Sequence, residues 1–133
     1  TYAVQLAKFF GAVVTGVCST NNLELVRSIG ADKVIDYTKE DFTKVKEVYD
    51  VVFDAVGKIS KSKCKNILRK GAKFLSVKYP TKEKNEYMLF LNELIDNGKL
   101  KPVIDKTFTL DKVPEAHVYV EHGHKRGNVS ITI

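Results

Sequence analysis

The chain has no tryptophan, one methionine and only three histidines among its 133 residues. Its two cysteines, Cys18 and Cys64, form no CxxC pair, which excludes the usual spacing of a structural zinc site or a redox-active disulfide. Both lie in apolar stretches and are predicted to be small core residues, so we expect a reducing, cytoplasmic location. No apolar run reaches the length of a membrane-spanning helix, and no membrane partner is expected.

Sequence motifs of several enzyme classes are also missing. The chain contains no GxSxG, HExxH, P-loop or paired-carboxylate motif, so we assign no catalytic residue. His117, His122 and His124 have no cysteine or acidic residue at a recognised ligand spacing, and we therefore predict no metal site.

Acidic residues are outnumbered by basic ones, 16 against 22, so the net charge is +6 and the isoelectric point is about 9.2. This balance suits an anionic partner such as a dinucleotide or a nucleic acid. A helix is predicted with Ser60 as its cap. Around it Lys58, Lys61, Lys65 and Arg69 are three, four and four residues apart, and such a stripe is either a nucleic-acid site or a solvated face. No stacking aromatic residues are interleaved with it, so a nucleic-acid partner is not expected.

Helical and extended patterns alternate along the chain. Residues 12–18 and 128–133 are predicted strands, and residues 50–54 form an almost continuous apolar run that is typical of a strand covered on both faces. Strand–helix alternation with glycine punctuation predicts a single α/β domain, 1–133, with a doubly wound, mostly parallel sheet.

Four segments resemble the nucleotide-binding half of the medium-chain dehydrogenases/reductases, and they occur in family order. They are TYAVQLAKFFGAVVTGVCST, LVRSIGADKVIDYTKEDF, YDVVFDAVG and LIDNGKLKPVIDKTFTLDKVPEAHVYVEHGHKRGNVSITI. The resemblance is strongest to the zinc-free quinone oxidoreductase branch, with the zinc-binding alcohol dehydrogenases as wider relatives. It implies a Rossmann-like fold and a role as the cofactor-binding part of an NADPH-dependent quinone or alcohol oxidoreductase.

Two departures from the family qualify this expectation. Family members have a strand and a glycine-rich turn just before the position of Thr1, so the resemblance implies a sheet without its first strand and glycine loop. A slot of unpaired backbone groups is costly, and we expect residues 128–133, or a strand from a second chain, to fill it. The segment between residues 77 and 86 is also shorter than in the family.

These departures set the expected activity of the isolated chain. Since the resemblance does not extend to a catalytic domain, we expect the chain alone to be inactive and its binding of NADPH to be weak or absent. The alternative is a non-enzymatic module that forms a homodimer through a sheet edge or binds nucleotide weakly.

The resemblance places the adenosine end of the cofactor beyond the first two strands. Ser19, Thr20 and Asn21 follow a strand whose end carries no carboxylate, and their hydroxyl and amide groups can donate to a 2′-phosphate, which favours NADPH over NADH. The alternative is that they are only turn and N-cap residues. Tyr37 is predicted either to pack near the adenosine ribose phosphate or to cover a helix end.

Two further groups are candidate cofactor contacts. Asp54, Val56 and Gly57 end the next strand, where Gly57 lets a cofactor approach the backbone and Val56 packs against adenine or ribose; alternatively, Gly57 only permits a tight turn. Arg126 lies in a basic turn with His124 and Lys125, where it offers a two-pronged donor to cofactor phosphate or is merely solvated.

Overall fold

A computed structural model describes residues 1–123 and 125–133 of the chain. Helices and strands alternate, as predicted for the α/β class. The helices are α1 (Tyr2–Phe9), α2 (Leu23–Ser28), α3 (Asn85–Asp96) and α4 (Val113–Glu121). The strands are β1 (Thr15–Cys18), β2 (Lys33–Asp36), β3 (Tyr49–Asp54), β4 (Leu68–Ser76), β5 (Ile104–Thr109) and β6 (Asn128–Thr132).

All strand pairs of the described residues are parallel. β1 pairs with β2, β3 with β4, and β5 with β6, so the hydrogen-bonded ladders form three two-stranded sheets. α2 connects β1 to β2 and packs on both, and α4 does the same for β5 and β6. The predicted parallel α/β architecture is therefore confirmed, although its strands are not joined into one continuous ladder.

The C-terminal strand lies beside β5. Asn128 is in register with Ile104, its backbone N–H donates to Val103 O at 2.7 Å, and its side-chain amide donates to the Tyr2 hydroxyl at 2.7 Å. These bonds fasten the start of β6 between β5 and the start of α1. In the described residues β6 thus pairs with β5, and the expectation that residues 128–133 or a strand from a second chain fill a slot in the sheet stays a prediction. The assignment of 1–133 to one domain stays a prediction.

The expectation that β3 is covered on both faces is wrong. Val51 is 51% exposed and Phe53 45% exposed, whereas Val52 between them is half-buried. Side chains alternate across a strand, so one face of β3 packs inward and the other is open. A continuous apolar run does not reveal which of its faces the rest of the chain covers.

The helix predicted to begin at Ser60 does not form. Residues 61–67 make overlapping turns, in which the Cys64 N–H donates to Lys61 O and the Ile67 N–H donates to Cys64 O. Serine and asparagine are poor helix formers, like charges on adjacent turns repel, and β4 already includes Leu68. The predicted basic stripe is therefore absent, and the expectation of no nucleic-acid partner stays a prediction.

The core of the described residues is small. Both cysteines belong to it as predicted, and both are free. Burial raises the pKa of each thiol, and a nearby carboxylate adds to the effect. The part of the chain described here contains no helix with the length and apolar character needed to cross a membrane. The buried apolar side chains are Cys18, Ile35, Cys64, Ile67, Leu94, Leu100, Phe108 and Ala116.

Candidate functional site

The parallel register of β1 and β2 brings two polar segments together at the carboxyl ends of these strands. Cys18 and Asp36 are paired, and the Tyr37 N–H donates to Cys18 O at 3.1 Å, so the residues that follow each strand face one another. Ligands of open α/β sheets bind outside such carboxyl ends. The structure therefore places Ser19, Thr20, Asn21 and Tyr37 in one neighbourhood.

Asp36 is the centre of this neighbourhood. Its side chain is buried, its Oδ2 accepts the Thr20 hydroxyl at 2.5 Å, and its Oδ1 accepts the Thr38 hydroxyl at 2.6 Å and the Thr38 N–H at 3.0 Å. Bonds from Thr20 and then Thr38 hold the pKa of Asp36 below its ordinary value, although burial acts in the opposite direction. Asp36 is thus an ionised carboxylate that joins the two segments.

Asp36 corrects one premise of the sequence interpretation. We inferred a preference for NADPH because no carboxylate follows β1 in the sequence, yet a carboxylate lies against Thr20 in the fold. Asp36 and Thr38 were missed as site residues because Asp36 belongs to the neighbouring strand. The pattern Asp36-x-Thr38 is a typical side-chain-to-backbone turn, which was the available signal.

The remaining residues of this group are open to contact. Ser19 Oγ accepts the Asn22 side-chain amide at 3.2 Å, so the Ser19 proton stays available, and Asn21 and Tyr37 are exposed. Neither Ser19 nor Asn22 makes a side-chain capping bond to the turns that follow them.

Asp54 organises the turn after β3. Its Oδ1 accepts the N–H groups of Val56, Gly57 and Lys58 at 2.8–3.3 Å, and its Oδ2 accepts the Ile59 N–H at 3.3 Å and the Ser76 hydroxyl at 3.1 Å. Burial alone would raise the pKa of Asp54, but these donors outweigh it and the pKa is lowered. The carboxylate is consequently saturated by its own turn.

This turn bears on the two alternatives for Gly57. Gly57 has a φ of +74°, a conformation that side chains rarely adopt, and a Cβ there would crowd the Lys78 side chain at 3.1 Å. The tight turn therefore requires glycine whether or not a cofactor binds. Val56 is 70% exposed and presents an apolar surface beside it. Their roles as cofactor contacts stay predictions.

Arg126 belongs to a different part of the molecule. It is exposed just before β6, where its backbone N–H helps to lower the pKa of Asp105 after the larger contribution of the Tyr119 hydroxyl. Through Asn128 and Tyr2 this turn is fastened to the start of α1. His124 of the same turn lies outside the described residues.

The site residues therefore form three groups, and no hydrogen bond recorded for residues 1–123 and 125–133 joins one group to another. Within those same ranges, no three His, Cys, Asp or Glu side chains cluster closely enough to hold a metal ion. The described residues do not provide a zinc site, and the prediction of no metal remains open to test.

Two family models match the chain and identify its family. A model described as zinc-binding dehydrogenase matches residues 1–101, and a second model of the same description matches residues 79–130. In the solved quinone oxidoreductase from Coxiella burnetii, the matched region is 25% identical, with a TM-score of 0.77 over 99% of this chain and 48% of that one.

Curated relatives agree with this match. The mouse mitochondrial NAD(P)H oxidoreductase RTN4IP1 is 33% identical over all of this chain and 45% of its own length. The chloroplastic NADPH-dependent alkenal/one oxidoreductase of Arabidopsis thaliana is 37% identical over 96% of this chain and 36% of its own length. The chain spans less than half the length of these relatives. It belongs to the zinc-binding dehydrogenase family of the medium-chain dehydrogenase/reductase superfamily, and it corresponds to the C-terminal nucleotide-binding part.

Proposed function

We propose that the chain binds the adenosine end of NADPH as part of a quinone or alcohol oxidoreductase, and that it has no turnover by itself. The observation that carries the proposal is the meeting of Ser19, Thr20 and Tyr37 at the carboxyl ends of two parallel strands. The names of the mouse and Arabidopsis relatives, which specify NAD(P)H and NADPH, support the choice of cofactor.

The end of the cofactor that the candidate residues suit supports the proposal that the chain has no turnover by itself. The nicotinamide supplies the hydride when the cofactor is bound, and the protein must hold it against a substrate. The residues at the ends of β1 and β2 suit the opposite end of the dinucleotide, because the Ser19 hydroxyl and the Asn21 amide can donate hydrogen bonds to a phosphate and Tyr37 offers a ring to the ribose. We propose in addition that Val56 and Gly57 pack against the adenosine and that Arg126 offers a cation for phosphate.

Calorimetric titration of the chain with NADPH, NADH and adenosine 2′,5′-bisphosphate tests the binding proposal. We expect weak binding of NADPH, with a Kd on the order of 0.1–1 mM, and tighter binding of the bisphosphate than of adenosine 5′-phosphate. Ser19→Ala should weaken it, whereas Ser60→Ala, at an exposed serine that is not among the candidate cofactor contacts, should not. No binding at millimolar ligand would overturn the proposal.

A turnover assay separately tests the proposal that the chain has no turnover by itself. The chain, NADPH and phenanthrenequinone are mixed, and NADPH absorbance is followed against a no-protein control. We expect no rate above the control. Sustained oxidation of NADPH that scales with chain concentration would show that the chain contains a complete active centre.

A second candidate function is homodimerisation through a sheet edge. Its support is the surface area: the chain exposes 9980 Å², whereas a compact protein of its mass exposes roughly 7,000 Å². An excess of this size is comparable with a large protein–protein interface.

The cellular location is a separate proposal. We propose the cytoplasm, although the names of the two relatives say mitochondrial and chloroplastic.

A further inference from the structure

Asp36 accepts the protons of two threonine hydroxyls in the candidate site. A threonine hydroxyl carries one proton, and Thr20 and Thr38 each donate theirs to a different oxygen of Asp36. The two hydroxyl oxygens also approach each other at 3.1 Å. Thr20 is exposed on its other side, and there it can present only lone pairs.

This arrangement favours one kind of ribose substituent over another. A 2′-hydroxyl, as in NADH, can donate to the free lone pairs of Thr20. A 2′-phosphate, as in NADPH, has no proton to give when it is fully ionised, and the Asp36 charge directly behind Thr20 repels it. Lys39 Nζ lies 3.9 Å from Asp36 Oδ2, but the lysine side chain is largely solvated and offsets this charge only in part.

We propose that Asp36 is a specificity-determining residue that keeps the preference for NADPH over NADH small, by holding the Thr20 proton away from the ligand and placing a carboxylate behind it. The inference rests on the proposed function, because it concerns the same dinucleotide site. The proposed function concerns whether the chain binds the dinucleotide at all, whereas this inference concerns the ratio of its affinities for NADH and NADPH.

Asp36→Asn changes both features while keeping the shape of the side chain. The new amide nitrogen donates to Thr20 Oγ1 and so turns the Thr20 proton outward, where it can bond a phosphate oxygen. The carboxylate charge disappears as well. We expect the ratio Kd(NADH)/Kd(NADPH) to rise about tenfold, mainly through tighter binding of NADPH.

Asp41→Asn is the matched control. Asp41 makes the same Asp-x-Thr turn, since its Oδ1 accepts the Thr43 N–H at 3.0 Å and the Thr43 hydroxyl at 2.7 Å, but it makes no bond to Thr20. This variant removes the same charge at a neighbouring turn. We expect its affinity ratio to stay within about twofold of that of the unchanged chain.

The titrations separate failure of this inference from failure of the proposed function. If the unchanged chain binds neither dinucleotide at millimolar concentration, the proposed function fails and this inference falls with it. If the unchanged chain binds but D36N leaves the ratio unchanged, or D41N raises it equally, only the role of Asp36 is refuted.

A second variant covers the case in which D36N is unfolded, which a thermal melt would reveal. Thr20→Val keeps the shape of Thr20 and removes its lone pairs. It should weaken the binding of NADH about threefold more than the binding of NADPH. Equal losses for both dinucleotides would overturn the inference.

Discussion

At Asp54, one carboxylate accepts hydrogen bonds from four successive backbone N–H groups and from the Ser76 hydroxyl. These donors lie in a turn that the rest of the fold partly covers, where water cannot fully replace a lost acceptor. The turn also carries Val56 and Gly57, so the conformation of this candidate contact surface depends on the Asp54 side chain.

Asp54→Ala should therefore destabilise the chain. It leaves the Gly57 N–H and the Ser76 hydroxyl without their acceptor, and we expect the free energy of unfolding to fall by about 2 kcal/mol. Chemical denaturation measures the change. Asp50→Ala is the control, because Asp50 lies on the same strand in an exposed ion pair with Arg69 and should cost less than about 1 kcal/mol. Equal losses in the two variants would contradict the role given to Asp54.

The lowered pKa of Asp54 also predicts a pH dependence. A carboxyl group whose pKa is lower folded than unfolded stabilises the fold above its ordinary value of 3.8, and that contribution is lost as pH falls toward the folded pKa. Asp36 acts in the same direction. The thermal midpoint should be steady from about pH 7 to 5 and fall below about pH 4.

Asp54→Asn tests the source of this fall. The variant should be less stable at neutral pH, yet lose less further stability on acidification than the unchanged chain. Thermal melts at a series of pH values measure both slopes. Identical slopes would assign the acid sensitivity to other carboxyl groups.

At the scale of the elements, α2 packs against β1 at Gly16. Gly16 is buried, and a Cβ at this position would overlap the Val26 side chain of α2. The helix can lie on the strand only because Gly16 has no side chain. This contact fixes α2 over β1, and with it the segment from Ser19 to Asn22 between them.

Gly16→Ala should lower the free energy of unfolding by about 1–3 kcal/mol, because the added methyl group forces α2 away from β1. The double variant Gly16→Ala, Val26→Ala supplies the control, since the smaller side chain makes room for the methyl group. Its loss should be smaller than the sum of the two single losses. Simple additivity, measured by urea denaturation, would show that the two positions do not compete for space.

Local pattern predicted single strands, and it failed where several elements meet. The strands Thr15–Cys18 and Asn128–Thr132 lie within the predicted ranges 12–18 and 128–133. The segment 61–67 has helical apolar spacing, but β4 begins at Leu68 and leaves it no room to continue as a helix. The sequence pattern over a few neighbouring residues does not show such competition between elements.

For the whole molecule, the dominant feature is exposed apolar surface. Val51, Phe53 and Leu75 lie on the open face of the β3–β4 pair, where Phe53 and Leu75 are register partners. Each strand of this pair also has an edge without a partner among the described residues. Open strand edges beside apolar side chains are surfaces on which chains associate.

We therefore expect the chain to self-associate, with a mass that rises with concentration in light-scattering measurements between about 1 and 100 μM. Val51→Lys should reduce this association by placing a charge on the open face. Val13→Lys, the same substitution at another exposed valine, is the control and should not. A monomer at all concentrations would reject the dimer proposal.

The sequence by itself determined the alternation of helices and strands, the parallel α/β class, the two buried cysteines and the polar residues that follow each strand. These properties depend on side-chain spacing within a few residues of each position. Only the tertiary structure decided that Asp36 bonds Thr20, 16 residues earlier in the chain, that β6 lies beside β5, and that Val51 faces outward. Each of these depends on which strands pair and in which register, and pairing is set by contacts between segments that are distant in sequence.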